Sequence, residues 1–195
     1  MPGLLVSLVV LVLCAGGIFL AATGRGGPDP AKWLLHQAGF FALIFLVATL
    51  TVSTLRRFIR KPVLAKWRRP VGLAAFAMAT SHVIIYATIY QGFAWGPIVE
   101  DIGKRPYILI GFVAWLLLLP LAFTSTRAAQ RRLGLRWVRL HRLVYLIVPL
   151  AILHQGMAQK VDLAQTAVFL IATGCLLAER MLDAKRWLPW PRKVR

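Results

Sequence analysis

Acidic residues are scarce in this sequence, and so are extended polar stretches. The 195 residues include 6 Asp and Glu, against 24 Lys and Arg and a hydrophobic fraction of 59%. A soluble domain carries far more charged and polar surface than this composition provides. The apolar residues also fall in long runs, and about 20 consecutive apolar residues span a bilayer as a helix. The composition therefore excludes a soluble domain and predicts an integral membrane protein.

Other absences narrow the function. Cys14 and Cys175 lie within apolar runs and lack metal-ligand spacing, so we interpret them as small packing residues. No Gly-rich dinucleotide segment follows the last apolar run, so we expect no nicotinamide site in this chain. Carboxylates are missing from the middle of the apolar runs, which disfavours a proton-coupled transporter with histidine gates. That transporter stays the least favoured alternative.

Six apolar runs have the length of a membrane span. They cover about residues 4–23, 33–55, 71–90, 107–124, 140–157 and 163–181. The connectors between them leave no room for a soluble domain. We therefore predict an all-α integral membrane protein, a single domain over residues 1–195 built as a bundle of six transmembrane helices.

The basic residues are concentrated in alternate connectors. Seven lie in 56–69, six in 125–142 and six in the tail from Arg180 onward. The three opposite connectors hold five, namely Arg25, Lys32, Lys104, Arg105 and Lys160. Cytoplasmic loops are the ones enriched in Lys and Arg, so both termini are predicted to be cytoplasmic. Because the basic residues lie in these connectors, we expect the net charge of +18 to interact with anionic membrane lipid and not with nucleic acid.

Four histidines lie in or at the edge of the predicted spans: His36, His82, His141 and His154. Polar side chains are costly in hydrocarbon, and those present usually face the bundle interior and serve a function. Zinc sites usually add thiolates or carboxylates, and the spans offer none at suitable spacing. Haem iron needs one or two axial imidazoles in an apolar slot. The motif Cys-x-x-Cys-His is absent, so the histidines predict non-covalent, b-type haem.

Depth in the membrane indicates which histidines can meet. With cytoplasmic termini, His82 and His154 both lie in the outer half, where they can clamp one haem, and His36 lies near the outer face. His141 precedes His154 by thirteen residues, or about 20 Å of helix, toward the inner face. Thirteen residues do not return an ideal helix to the same face, and a kink at Pro149, which lies between them, could correct part of this difference.

Residues 105–154 carry a family resemblance. RPY, LAFTST, QRRLG and LHRLVYL occur there in order, and ATSHVIIYA around His82 and DPAKWLLHQAG around His36 add to them. This pattern resembles the ferric reductase-like transmembrane superfamily and, within it, the MsrQ (YedZ) family of haem-binding membrane subunits. The similarity covers about residues 28–160.

The resemblance implies an electron-transfer subunit of the bacterial inner membrane and not a stand-alone catalyst. Electrons would reach haem b from the quinol pool or a cytoplasmic flavin reductase. They would pass to a periplasmic molybdopterin enzyme that reduces methionine sulfoxide in proteins. His82 and His154 match proposed axial ligands and His141 a third, and FMN is also associated with the family. A direct ferric or cupric ion reductase is the alternative function.

Several roles stay open from the sequence. Two-haem relatives carry another His 13 or 14 residues before the one on the third helix, where this chain has Arg69 and Arg68, and guanidinium cannot ligate iron. Three roles therefore stay open for His141: the single histidine ligand of a second haem, a contact of a flavin or quinone, or a hydrogen-bonding residue at the membrane interface. His36 is a haem-propionate partner, an alternative ligand or structural. Arg105 is a propionate partner or an interface anchor.

Overall fold

In the computed structural model, the described residues are 1–59, 62–158 and 163–182. Their helices are α1 Pro2–Ala22, α2 Pro30–Ile59, α3 Ala65–Ile85, α4 Trp95–Lys104, α5 Pro106–Phe123, α6 Arg127–Leu133, α7 Leu135–His141, α8 Val144–Ala158 and α9 Leu163–Leu182. A 3₁₀ turn, Pro62–Leu64, precedes α3, and a π-helical segment, Tyr86–Tyr90, continues it. Lys160 and the basic tail beyond residue 182 lie outside the described residues.

Five segments of the described chain are long and apolar enough to cross a membrane. They are Pro2–Ala22, Pro30–Arg56, Ala65–Tyr90, Pro106–Phe123 and Leu135–Ala158. These segments match the first five predicted spans, and the all-helical membrane character is confirmed. The sixth predicted span forms α9 but is not among the five. The sixth crossing and the cytoplasmic termini stay predictions.

The core lies where α2, α3, α5 and α8 meet. Its fully buried side chains include Leu50 of α2, Ala75 of α3, and Ile147 and Val148 of α8. Large apolar side chains on α1 point away from the bundle, whereas Val6 is buried against Val71 and Ala74 of α3. An apolar outer surface is what a bundle in lipid requires, because its outward face meets hydrocarbon and not water.

The fifth predicted span is interrupted close to its start. Helix α7 ends at His141, Arg142 and Leu143 form a turn, and α8 begins at Val144. Pro149 lies inside α8, which continues through it. A turn at 142–143 therefore lies between His141 and His154 in addition to Pro149, and a kink at Pro149 stays a prediction.

Two features of the connectors and helix ends were not predicted. The connector after the third span contains α4, whose Asp101 carboxylate accepts hydrogen bonds from Tyr86 Oη at 2.9 Å and Gln91 Nε2 at 2.7 Å. Arg180, counted from the sequence as the first residue of a basic tail, is instead buried, with 1% of its surface exposed. Charge alone could not reveal either contact, because both depend on which helices pack together.

Candidate haem site

His82 of α3 and His154 of α8 lie close together inside the bundle, with their ring planes nearly perpendicular. Their ring centroids are 6.0 Å apart and their planes make an angle of 81°. The two side chains come from helices that are far apart in the sequence, and α2 packs against α3 and α5 against α8. The structure thus brings together the two histidines that depth in the membrane had paired.

Each imidazole donates its Nδ1 hydrogen to a backbone carbonyl of a neighbouring helix. His82 Nδ1 lies 2.9 Å from the carbonyl oxygen of Leu35, and His154 Nδ1 lies 2.6 Å from that of Tyr107. A carbonyl oxygen only accepts hydrogen bonds, so Nδ1 must carry the proton in both rings. In the neutral ring, Nε2 then keeps its lone pair, and a backbone carbonyl on the other nitrogen is the usual support of a metal-binding histidine.

This geometry fits an iron porphyrin better than a bare metal ion. Two imidazoles bonded at about 2 Å to opposite sides of one metal place their ring centroids roughly 6 Å apart, close to the separation seen here. Within the described part of the chain, no cluster of three or more His, Cys, Asp or Glu exists that would complete the shell of a bare ion. A porphyrin supplies its own four nitrogens and needs only these two.

His141 occupies a different environment. Its ring stacks on Trp137, with centroids 3.9 Å apart, and its Nδ1 lies 3.1 Å from the Trp137 carbonyl oxygen. Nε2 is buried. Trp137 in turn donates from Nε1 to the Thr124 carbonyl oxygen at 2.9 Å. No second imidazole is recorded beside this ring in residues 1–59, 62–158 and 163–182, so the structure shows no second histidine pair there.

His36 lies on α2 with an exposed side chain. It lines an open cavity of about 250 Å³ together with Trp33, Gln37, Phe40 and Gln165. His36 makes no recorded ring contact with the His82–His154 pair among the described residues. The structure therefore places His36 at the edge of the bundle, beside a cavity with mixed aromatic and polar walls.

Arg105 has partners within the chain. Its Nε lies 3.1 Å from Asp101 Oδ1, and its guanidinium donates to the Tyr107 hydroxyl at 3.3 Å. The Tyr107 hydroxyl and, next, the Asp101 carboxylate raise the pKa of Arg105. The same Tyr107 supplies the carbonyl that holds His154, so Arg105 is linked to the pair through this tyrosine. Its role toward a propionate stays a prediction.

Sequence reasoning did not find the backbone groups of this site. The carbonyls of Leu35 and Tyr107 hold the rings, and any residue type supplies a carbonyl. Trp115 of α5 donates from Nε1 to Thr80 Oγ1 at 3.1 Å and lies beside Phe112. Two of the quoted sequence stretches do contain the residues that supply the carbonyls: RPY contains Tyr107, and DPAKWLLHQAG contains Leu35.

Replacing His36 by alanine is expected to leave the haem spectrum of the purified protein nearly unchanged. The side chain is exposed, and in the described part of the chain its ring is not in contact with the rings of His82 and His154, so its loss is expected to remove no axial ligand. The check is the haem content and reduced spectrum of His36→Ala beside those of the unsubstituted protein. Complete loss of haem would show that the histidines had been paired wrongly.

Comparison with known proteins places the chain. The family described as "Ferric reductase like transmembrane component" matches residues 36–152. This range includes three of the four histidines and ends two residues before His154. A relative from Xanthomonas oryzae pv. oryzae (strain MAFF 311018) is 44% identical over 164 residues, covering 82% of this chain and 75% of the relative. One from Agrobacterium fabrum is 41% identical over 178 residues, covering 90% and 82%.

A third relative, from Cronobacter sakazakii, is 38% identical over 170 residues, covering 87% of this chain and 85% of the relative. All three are named "Protein-methionine-sulfoxide reductase heme-binding subunit MsrQ". No solved structure gives a significant match. The chain belongs to the MsrQ family of ferric reductase-like transmembrane proteins.

Proposed function

We propose that this protein is a b-type haem subunit that passes electrons to a methionine sulfoxide reductase. The named relatives support this proposal, since their name joins haem binding to that reductase. The single observation that carries it in this chain is the His82–His154 pair, with both Nδ1 atoms bonded to carbonyls. We further propose that the acceptor is a periplasmic molybdopterin enzyme and that the bundle of six spans lies in the bacterial inner membrane, with cytoplasmic termini.

In this proposal, His82 and His154 hold the iron through Nε2, and the haem supplies a one-electron couple when bound. The Leu35 and Tyr107 carbonyls keep each imidazole in the tautomer that can ligate. The apolar side chains of α2, α5 and α8 exclude water from the interior. A dry, preorganised surrounding is what lets a protein set the potential of such a group.

We propose one haem per chain. Only His82 and His154 form a histidine pair in the described part of the chain, and His141 stacks on Trp137. His141 then remains for hydrogen bonding at the interface or for contact with FMN or quinone. Either quinol or a cytoplasmic flavin reductase would serve as donor, and no residue is assigned here to either one or to FMN.

The reduced-minus-oxidised spectrum of the purified protein, with haem quantified per chain, tests the cofactor. We expect a low-spin b-type spectrum and a ratio near one. A ratio near two would contradict the single site and make His141 a ligand. No haem, after expression with adequate haem supply, would end the electron-transfer proposal.

The electron acceptor is tested in a separate experiment. Protein reduced in proteoliposomes is mixed with the purified periplasmic reductase and oxidised protein substrate, or with ferric or cupric ions alone. We expect rapid reoxidation of the haem only with the reductase present. Equal reoxidation by metal ions alone would favour the direct metal reductase, which the description of the matching family also suggests.

A further inference from the structure

The imidazoles of the candidate site each lie against a glycine on the neighbouring helix. A Cβ placed on Gly111 of α5 would lie 2.7 Å from Nδ1 and 2.8 Å from Cε1 of His154. A Cβ placed on Gly39 of α2 would lie 3.0 Å from Nδ1 and 3.2 Å from Cε1 of His82. Both spaces are closed to any larger residue unless the ring moves.

Each glycine also stands in the same register to the carbonyl that its histidine uses. Leu35 precedes Gly39 by four residues, and Tyr107 precedes Gly111 by four residues. In an α-helix the carbonyl of residue i points at the N–H of residue i+4, and the side chain of i+4 leans back toward it. When residue i+4 is glycine, no side chain covers that carbonyl oxygen, and a donor from another helix, here the Nδ1–H of the histidine, can also reach it. The same arrangement therefore occurs twice, on two separate helix pairs.

We propose that Gly39 and Gly111 are positioning residues for the two haem-ligating imidazoles. This inference rests on the proposed haem function. Each glycine admits the ring to a carbonyl, which fixes the Nδ1–H tautomer and the orientation of the ring. Together they hold the two imidazole planes close to perpendicular, at 81°. Perpendicular axial imidazoles give ferric haem a highly anisotropic low-spin paramagnetic resonance signal, whereas parallel ones give a rhombic signal.

The two positions differ in how tightly the ring fits. At Gly111 three ring atoms of His154 lie within 3.0 Å of an added Cβ, the closest being Nδ1. At Gly39 the contacts with His82 are 3.0, 3.2 and 3.8 Å. An alanine at 111 must displace the ring and break its bond to Tyr107, whereas an alanine at 39 requires a smaller shift. Gly111→Ala should therefore have the larger effect.

Four matched variants test the proposal: Gly39→Ala, Gly111→Ala, Gly72→Ala and Gly174→Ala. The last two add the same methyl to helices α3 and α9. The nearest atom to an added Cβ at Gly72 is 3.9 Å away, on Thr49, and none lies within 4 Å at Gly174. We expect Gly111→Ala to weaken haem retention roughly 10–100-fold, the usual effect of removing support from a metal ligand. Gly39→Ala should retain haem with a less anisotropic resonance signal. The two controls should match the unsubstituted protein.

A second readout needs no haem. Nuclear magnetic resonance of the full-length apoprotein, with ¹⁵N-labelled histidine, reports which ring nitrogen carries the proton. We expect His82 and His154 as Nδ1–H tautomers, with the His154 signal changed by Gly111→Ala and the His82 signal by Gly39→Ala. If Gly111→Ala does not fold, Gly39→Ala carries the test, because its ring needs to move by only a few tenths of an ångström.

The outcomes separate the two proposals. A haem-loaded protein in which all four variants behave alike would overturn the positioning role and leave the haem function intact. An unsubstituted protein without low-spin haem would overturn the proposed function. The tautomer measurement would then show whether the glycines still orient the rings. Changes confined to positions 39 and 111, each on its own histidine, support the inference.

Discussion

Replacing either His82 or His154 by alanine is expected to abolish the low-spin haem spectrum of the purified protein. Each variant removes one of two axial nitrogens, and no third His, Cys, Asp or Glu clusters with the pair among the described residues. A haem held by one imidazole becomes five-coordinate and high-spin, and it is lost more readily during purification. Absorption and paramagnetic resonance spectra of both variants, recorded at matched protein concentration, check this result.

His141→Ala is the matched control. It removes another histidine of the same membrane segment, also bonded through Nδ1 to a carbonyl, but one that stacks on Trp137 away from the pair. We expect its spectrum and haem content to match the unsubstituted protein. Added imidazole should restore a low-spin spectrum to His154→Ala, because a free ligand can enter the space left by the side chain. An unchanged spectrum in either His82→Ala or His154→Ala would rule out the ligand assignment.

The sequence predicted the membrane fold well because the signal is strong. A span needs about 20 apolar residues, and no other structural class imposes such runs. The five candidate spans follow the predicted ones closely. Two helices begin slightly earlier than predicted: α5 at Pro106, a residue type favoured at the first position of a helix, and α2 at Pro30. The positions of His82 and His154 within their spans predicted that the two side chains could meet, and their ring centroids lie 6.0 Å apart.

The support of the site was beyond sequence reasoning. The Leu35 and Tyr107 carbonyls are backbone groups, and Gly39 and Gly111 matter only because particular rings lie against them. A glycine in an apolar run has the same appearance whether it faces lipid or a histidine. Which one applies depends on the rotation of each helix about its axis, and composition does not encode that rotation.

Replacing Arg180 by alanine is expected to cause the largest loss of stability among single substitutions of charged residues in the described chain. Its side chain is 1% exposed and joins α9 to two other helices. The guanidinium donates from Nη2 to the Leu50 carbonyl oxygen at 2.9 Å and to Thr54 Oγ1 at 3.2 Å. It also lies 4.9 Å from the centre of the Tyr145 ring, within range of a cation–π interaction.

The expected cost follows from three losses that occur together. Truncation leaves a cavity, removes a cation from an aromatic face, and leaves the hydroxyl of Thr54, which is itself buried, without this donor. Their sum is roughly 3 kcal/mol. For a chain of this size that corresponds to a fall of about 6–12 °C in the unfolding midpoint. Thermal unfolding in one detergent, followed by intrinsic fluorescence, measures it.

Three further variants separate charge from packing at this position. Arg131→Ala removes an exposed basic residue of α6, and we expect it to shift the midpoint by less than about 2 °C, as exposed charges usually do. Arg180→Met keeps much of the volume without the charge and should recover part of the loss. Arg180→Lys keeps the charge but lacks the planar guanidinium with its several donors. Because packing supplies the larger part of the expected loss, this variant should recover less of the unfolding midpoint than Arg180→Met does. A midpoint for Arg180→Ala equal to that of Arg131→Ala would show that α9 is held to α2 and α8 by other contacts, and that the buried guanidinium adds nothing to the stability of the bundle.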